Sequence, residues 1–251
     1  MVKLTLKKVF CIAFVVGVLA AANAVFLASD NVYAFSYAKR ELPVYSVDRN
    51  DKLLSISFDC AWGVDYTDEL LYQMEKFGVK CTFFAVKFWV EKYPEYCKKI
   101  VGGGHELQTH SATHPHMSKM SAQAIRAELE SSSSAIEAVT GKKVTLFRCP
   151  FGEYNDTVIK TARETGLQVV QWDVDSLDWK DISAKEIAER VLAKAKSGSI
   201  ILCHNNGLHT AEALPLIFSA LTDGGYKFVP ISELLIKGDY ALRPDGTQYA
   251  P

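Results

Sequence analysis

The strongest constraint on how this chain can fold is an alternation. Between residues 51 and 235, short runs rich in β-branched and aromatic residues take turns with longer stretches whose apolar residues recur at helical spacing. The spacing predicts strands over 53–58, 81–86, 106–109, 145–148, 168–174, 199–203 and 227–229. It predicts helices over 67–77, 90–101, 122–139, 156–164, 184–196 and 211–222. Ser183 with Glu186 forms a capping box ahead of the fifth helix, and Gly78, Gly141 and Gly166 stand where helices should stop. Seven strands alternating with helices imply parallel βα units, either an open doubly wound sheet or a closed barrel. Eight full units usually need about 250 residues, so the expected fold class is α/β, a single distorted (β/α) barrel with about seven parallel strands. No GxGxxG follows the first strand, which argues against dinucleotide binding.

The N-terminus differs in character. Lys3, Lys7 and Lys8 precede an uncharged apolar stretch, VFCIAFVVGVLAAANAVFLA, over residues 9–28. This is the pattern of an export segment. Ala22-Asn23-Ala24 suits a cleavage site, while the stretch approaches the ~20 residues that span a bilayer, so signal peptide and membrane anchor both stand. Either way the lysines stay in the cytoplasm and the domain is extracytoplasmic. The expected organisation is export or anchor segment 1–35, connector 36–50, barrel 51–238 and tail 239–251. A chain with 28 basic and 29 acidic residues carries no electrostatic footprint for nucleic acid, and a monomer is expected. Of six cysteines, Cys11 falls in the export segment. The other five, Cys60, Cys81, Cys97, Cys149 and Cys203, are odd in number and irregular in spacing, which suits core residues better than a disulfide framework.

Polar residues sit where these strands should end. Asp59, His110, Arg148, Asp175 and His204 all follow or close the predicted strands at their C-terminal ends. In a β/α barrel that rim builds the active site. Singly, an aspartate there is a turn former and a histidine a structural one; together they point to one pocket. The segment GHELQTHSATHPH holds four of the six histidines, and His110 and His114 are four apart. If the segment turns into a helix they share a face, as two imidazoles on one metal require. With Asp59 at hand, that suggests a hydrolytic metal site.

Five separated stretches, SFDCAWG, GHELQTHSATH, FRCPFG, DVDSLDW and ILCHN, resemble in order the motifs of the polysaccharide deacetylase, or NodB-homology, family. The resemblance covers roughly residues 51–235. It implies that Asp59 is the general base for a nucleophilic water, with Arg148 keeping it ionised. It implies that His110 and His114 hold a divalent metal, zinc being the expected ion. His204 would be the general acid that protonates the departing amine, supported by Asp178 or Asp175. The backbone N–H near Phe151 would donate to the oxyanion, and Leu202 and Trp179 would wall the pocket for the acetyl methyl.

The chain departs from the family pattern at Cys60, which stands where the family has its second aspartate, a metal ligand. Three readings follow: a thiolate ligand, a weak site of two histidines plus waters, or a domain that binds glycan without cleaving it. The F-D-x-x-W-G form resembles a subgroup linked to sporulation. The resemblance therefore implies N-deacetylation of a peptidoglycan or spore-wall glycan. The alternatives are a non-catalytic glycan-binding domain and a metalloamidase acting on wall peptide.

Overall fold

Strand alternation gives the molecule two distinct sheet faces. The central strand β1 (Leu53–Cys60) buries nearly its whole length. Leu54, Ile56, Phe58 and Cys60 belong to the larger apolar core, together with helix residues such as Leu70, Met74, Leu129 and Phe218. Ser55, Ser57 and Asp59 therefore face the other way, because successive side chains in a strand point to opposite sides. Each large side chain buried in this way contributes about 1.5–3 kcal/mol.

The structure is a computed structural model and describes residues 40–251. In it β1 pairs in parallel with β2 (Thr82–Ala85), which leads through β3 (Glu106–Thr109) and β4 (Leu146–Phe147) to β5 (Gln168–Val169). On its other side β1 pairs with β7 (Ile200–His204), whose outer neighbour is β6 (Val174–Asp175). These seven parallel strands form a curled sheet in the order β5-β4-β3-β2-β1-β7-β6, and Lys227–Phe228 adds a short pairing at the start of β1. The fold is the expected α/β class with seven parallel strands, the distorted barrel being a half-barrel. The concave face is closed by a smaller apolar cluster that includes Phe84, Leu146, Ile200, Ile231 and Leu234.

Three expectations are corrected by the structure. The strand predicted over 168–174 is split, because its first part pairs with β4 at one edge of the open sheet and its last part with β7 at the other. Val44 lies beside the break, giving its N–H to Val169 and accepting from Gln171. The helix predicted over 90–101 is two helices, Lys87–Lys92 and Pro94–Gly102. Pro94 has no N–H to continue the first and opens the second. The segment from His110 to His114 is a loop rather than a helix, with Ser111 and His114 both at positive φ. The Ser183–Glu186 capping box forms, and Gly78 and Gly141 cap their helices in the left-handed conformation.

Residues 41–251 form one compact unit. Within it the connector and tail pair with one another: Ser46–Val47 runs parallel to Thr247–Tyr249, which runs antiparallel to Ala241–Leu242. Gly198, just before β7, lets that segment pack closely on the connector, since a Cβ there would lie 1.7 Å from the Val47 carbonyl oxygen. The predicted export segment lies outside the described residues. No helix among the described residues is long and apolar enough to cross a membrane.

Candidate active site

Register places the first pair of polar residues. Asp59 on β1 is the direct partner of His204 on β7, and paired residues of parallel strands project from the same face. Both line a pocket of about 450 Å³ at the C-terminal end of the sheet, with His110, His114, Phe151, Asp175, Trp179 and Leu202. Of the residues expected at the site, Arg148, Asp178 and Cys60 do not line it.

Arg148 is fully buried behind Asp59. Its Nη1 donates to Asp59 Oδ1 at 2.9 Å and its Nη2 to the Gln171 carbonyl at 3.2 Å, while the guanidinium lies 4.2 Å from the centre of the Phe84 ring. Burial pushes the Asp59 carboxyl up, but its neighbours His110, Arg148 and His204 outweigh it and hold it below the usual carboxylate range. Asp59 is thus an ionised base in a low-dielectric setting.

Asp178 does for His204 what Arg148 does for Asp59. It is fully buried, and its Oδ1 lies 2.8 Å from His204 Nδ1. Its Oδ2 accepts from the His204 N–H at 2.7 Å and from Thr210 Oγ1 at 2.7 Å. Gly207 allows this approach, since a Cβ there would lie 2.9 Å from Asp178 Oδ2. Nδ1 therefore carries a proton toward Asp178 and Nε2 is left for the pocket. Burial pulls the imidazolium down, but the hydrogen bond and charge of Asp178, with the charges of Asp59 and Asp175, outweigh it and raise His204 above its ordinary value. Asp175, the alternative partner, instead accepts the Leu177 N–H at 2.8 Å.

His110 and His114 meet without a helix. Their ring centroids are 4.9 Å apart. His110 Nδ1 lies 2.9 Å from the Arg148 carbonyl and donates to it, so its Nε2 faces Asp59 Oδ2 at 3.5 Å. The loop between them is held by side chains: Glu128 accepts from the Ala112 and Thr113 N–H groups at 2.8 Å each, and Ser111 Oγ accepts from the His114 N–H at 3.1 Å. These bonds offset the cost of two left-handed non-glycine residues, about 1–3 kcal/mol each. Burial lowers His110, and burial with the nearby His110 lowers His114 to about 4, so both imidazoles are neutral at physiological pH.

Cys60 faces away from this pair. The strand runs straight through it, so it points into the core opposite Asp59, with its Sγ 3.8 Å from the Phe58 carbonyl. Burial and the adjacent Asp59 charge push its thiol well up, which disfavours a thiolate. Among the described residues no group of three His, Cys, Asp or Glu side chains could hold a metal ion. The donors present are two imidazoles, one fewer than the three protein ligands of a catalytic zinc site.

The rim is aromatic. Trp62, Phe151 and Trp179 are each more than half exposed, and Trp172 completes the lining. Trp62 meets His114 edge-on at 5.2 Å, and Phe151 stacks on His116 at 4.5 Å. Among the described residues the Phe151 N–H donates no hydrogen bond, and Phe151 sits at φ 59°. Trp62 and Trp172 are not among the expected site residues, although Trp62 stands two residues after Cys60 and Trp172 three before Asp175. His105 lies elsewhere, buried against Cys81.

The family model for polysaccharide deacetylases matches residues 46–170. A peptidoglycan-N-acetylglucosamine deacetylase of Bacillus cereus is 34% identical over 196 residues, covering 76% of this chain and 92% of that protein. The chain belongs to the polysaccharide deacetylase family. The uncharacterized protein YlxY of Bacillus subtilis is 33% identical over 193 residues, covering 77% of this chain. This polysaccharide deacetylase family member spans 60% of the length of YlxY. Among solved structures, BA3943 of Bacillus anthracis, a CE4 family pseudoenzyme, matches with a TM-score of 0.74 at 35% identity, over 77% of this chain and 68% of that one.

Proposed function

We propose that this domain removes the acetyl group from an N-acetylated amino sugar of the cell-wall glycan. The observation that carries this reading is the pairing of an ionised Asp59 with a proton-bearing His204 across one pocket. Asp59 takes the proton of the attacking water. His204 gives its proton to the departing nitrogen, which is a poor leaving group without it. The Phe151 N–H would donate to the oxygen of the tetrahedral intermediate, and such donors contribute strongly in water-poor sites. Leu202 and Trp179 give the acetyl methyl an apolar wall.

A divalent cation, zinc by expectation, would polarise the acetamide carbonyl, and His110 and His114 are the side chains that could hold it. Two imidazoles fall short of a complete donor set, so the proton transfers assigned here rest on the chain's own acid and base. The reading extends to a domain that works outside the cytoplasm, delivered or anchored by residues 1–35, in peptidoglycan or spore-wall modification. The test is to incubate residues 40–251 with an acetylated glycan, with and without chelator, and to measure free acetate.

The incomplete donor set also favours a second reading, a domain that binds glycan and does not cleave it. Glycan binding with no acetate released, with or without added zinc, would establish that reading instead.

A further inference from the structure

Asp175 lines the pocket, and beyond a minor share in raising His204 it has no task in the chemistry assigned above. Its Oδ1 accepts the Leu177 N–H, and it forms no ion pair among the described residues. The other pocket charges cancel in pairs, Asp59 with Arg148 and His204 with Asp178. Among the described residues no lysine or arginine side chain lines the pocket. Lys180 is near, but its Nζ lies 5.0 Å from the centre of the Trp179 ring and is outside the lining. The protein charge left uncompensated before a bound sugar is therefore negative.

We propose that Asp175 is a specificity-determining residue that accepts hydrogen bonds from the hydroxyls of a neutral N-acetyl sugar and repels a sugar bearing a carboxylate. The pocket would then take N-acetylglucosamine and reject N-acetylmuramic acid with a free lactyl group. A carboxylate is an acceptor only, so it suits hydroxyl donors and leaves an anionic substituent unpaired and opposed by like charge. The inference rests on the reading of the pocket as a glycan site.

Asp175→Asn isolates the charge, because the amide oxygen can still accept the Leu177 N–H and preserve the turn. Binding is measured by titration calorimetry with two probes under identical metal conditions. One is the N-acetylglucosamine tetramer; the other is a tetramer of alternating N-acetylglucosamine and free-acid N-acetylmuramic acid. The wild type should prefer the neutral tetramer by roughly tenfold, the scale of one partly screened charge pair. Asp175→Asn should narrow that ratio several-fold while keeping affinity for the neutral tetramer within a few-fold. A turn-forming role alone would leave the ratio unmoved. Equal binding of both probes by the wild type, or an unchanged ratio in Asp175→Asn, would overturn the assignment while leaving the glycan site standing. Binding of neither probe would remove the glycan reading and this inference together.

Discussion

Asp59 and His204 are register partners on adjacent parallel strands, each backed by its own buried counter-charge. Arg148 stands behind Asp59 and Asp178 behind His204, at 2.9 and 2.8 Å. The backbone spacing of a sheet, about 4.8 Å between neighbouring strands, thus fixes the distance scale between the proposed base and acid. The two backing residues fix their charge states, and the pocket opens between them.

Removing Arg148 should cost stability as well as charge. Arg148→Leu leaves Asp59 buried and uncompensated, a change worth about 3–5 kcal/mol, and adding Asp59→Asn should recover part of it. Urea unfolding of both variants checks this. Because the Asp59 carboxyl titrates below its ordinary range, its contribution is present above the unfolded-state pKa and lost as pH falls through the folded value. The wild type should therefore show an acid-side loss of stability that Arg148→Leu lacks.

The His204 pair should mark the alkaline side. Asp178 raises the imidazolium above its ordinary value, so the acid stays protonated up to a higher pH than a free histidine would. Asp178→Asn should move the alkaline limb of the pH–rate profile to lower pH. Stability linked to this pair is fully present below the unfolded-state pKa and disappears as pH rises through the folded one. Acetate release across pH 5–9 reads the first effect, and thermal melts over the same range read the second.

The βα alternation was legible because buried parallel strands and amphipathic helices leave different periods in the sequence. The clustering of Asp59, His110 and His204 followed from their shared position at strand ends. Less was legible wherever tertiary context decided. Nothing in residues 168–174 signals that an open sheet needs two edges there. The helix expected between His110 and His114 gave way to a loop fastened by Glu128, which lies outside the histidine segment. The choice between Asp175 and Asp178 as the partner of His204 turned on which carboxylate the turn at Leu177 uses.

Cys60 gives a prediction from strand parity. Since it faces the core, Cys60→Ala should leave zinc affinity unchanged and cost about 1 kcal/mol or slightly more through lost packing. Cys60→Asp should cost several kcal/mol, because it buries a carboxylate without a partner. Zinc titration beside urea unfolding separates the cases. A sharp loss of zinc affinity in Cys60→Ala would mean that the thiol reaches the metal.

Trp62 is presented on a fixed loop, for the Gly63 carbonyl accepts from Trp89 Nε1 at 2.8 Å and from Asn205 Nδ2 at 3.0 Å. An exposed ring so held loses little entropy on stacking against a sugar. Trp62→Ala should weaken binding of the N-acetylglucosamine tetramer by about 1 kcal/mol with the melting temperature nearly unchanged. Calorimetric titration and a thermal melt check it.

The most direct measurement is acetate released from the N-acetylglucosamine tetramer by the wild type and by Asp59→Asn, with binding followed in parallel. Asparagine keeps the shape of the side chain and removes its ability to take a proton. The wild type should release acetate, and Asp59→Asn should release it at least about a hundredfold more slowly while binding the tetramer within a few-fold of wild type. Equal release from both proteins, or no release from a wild type that binds the tetramer, would contradict the account.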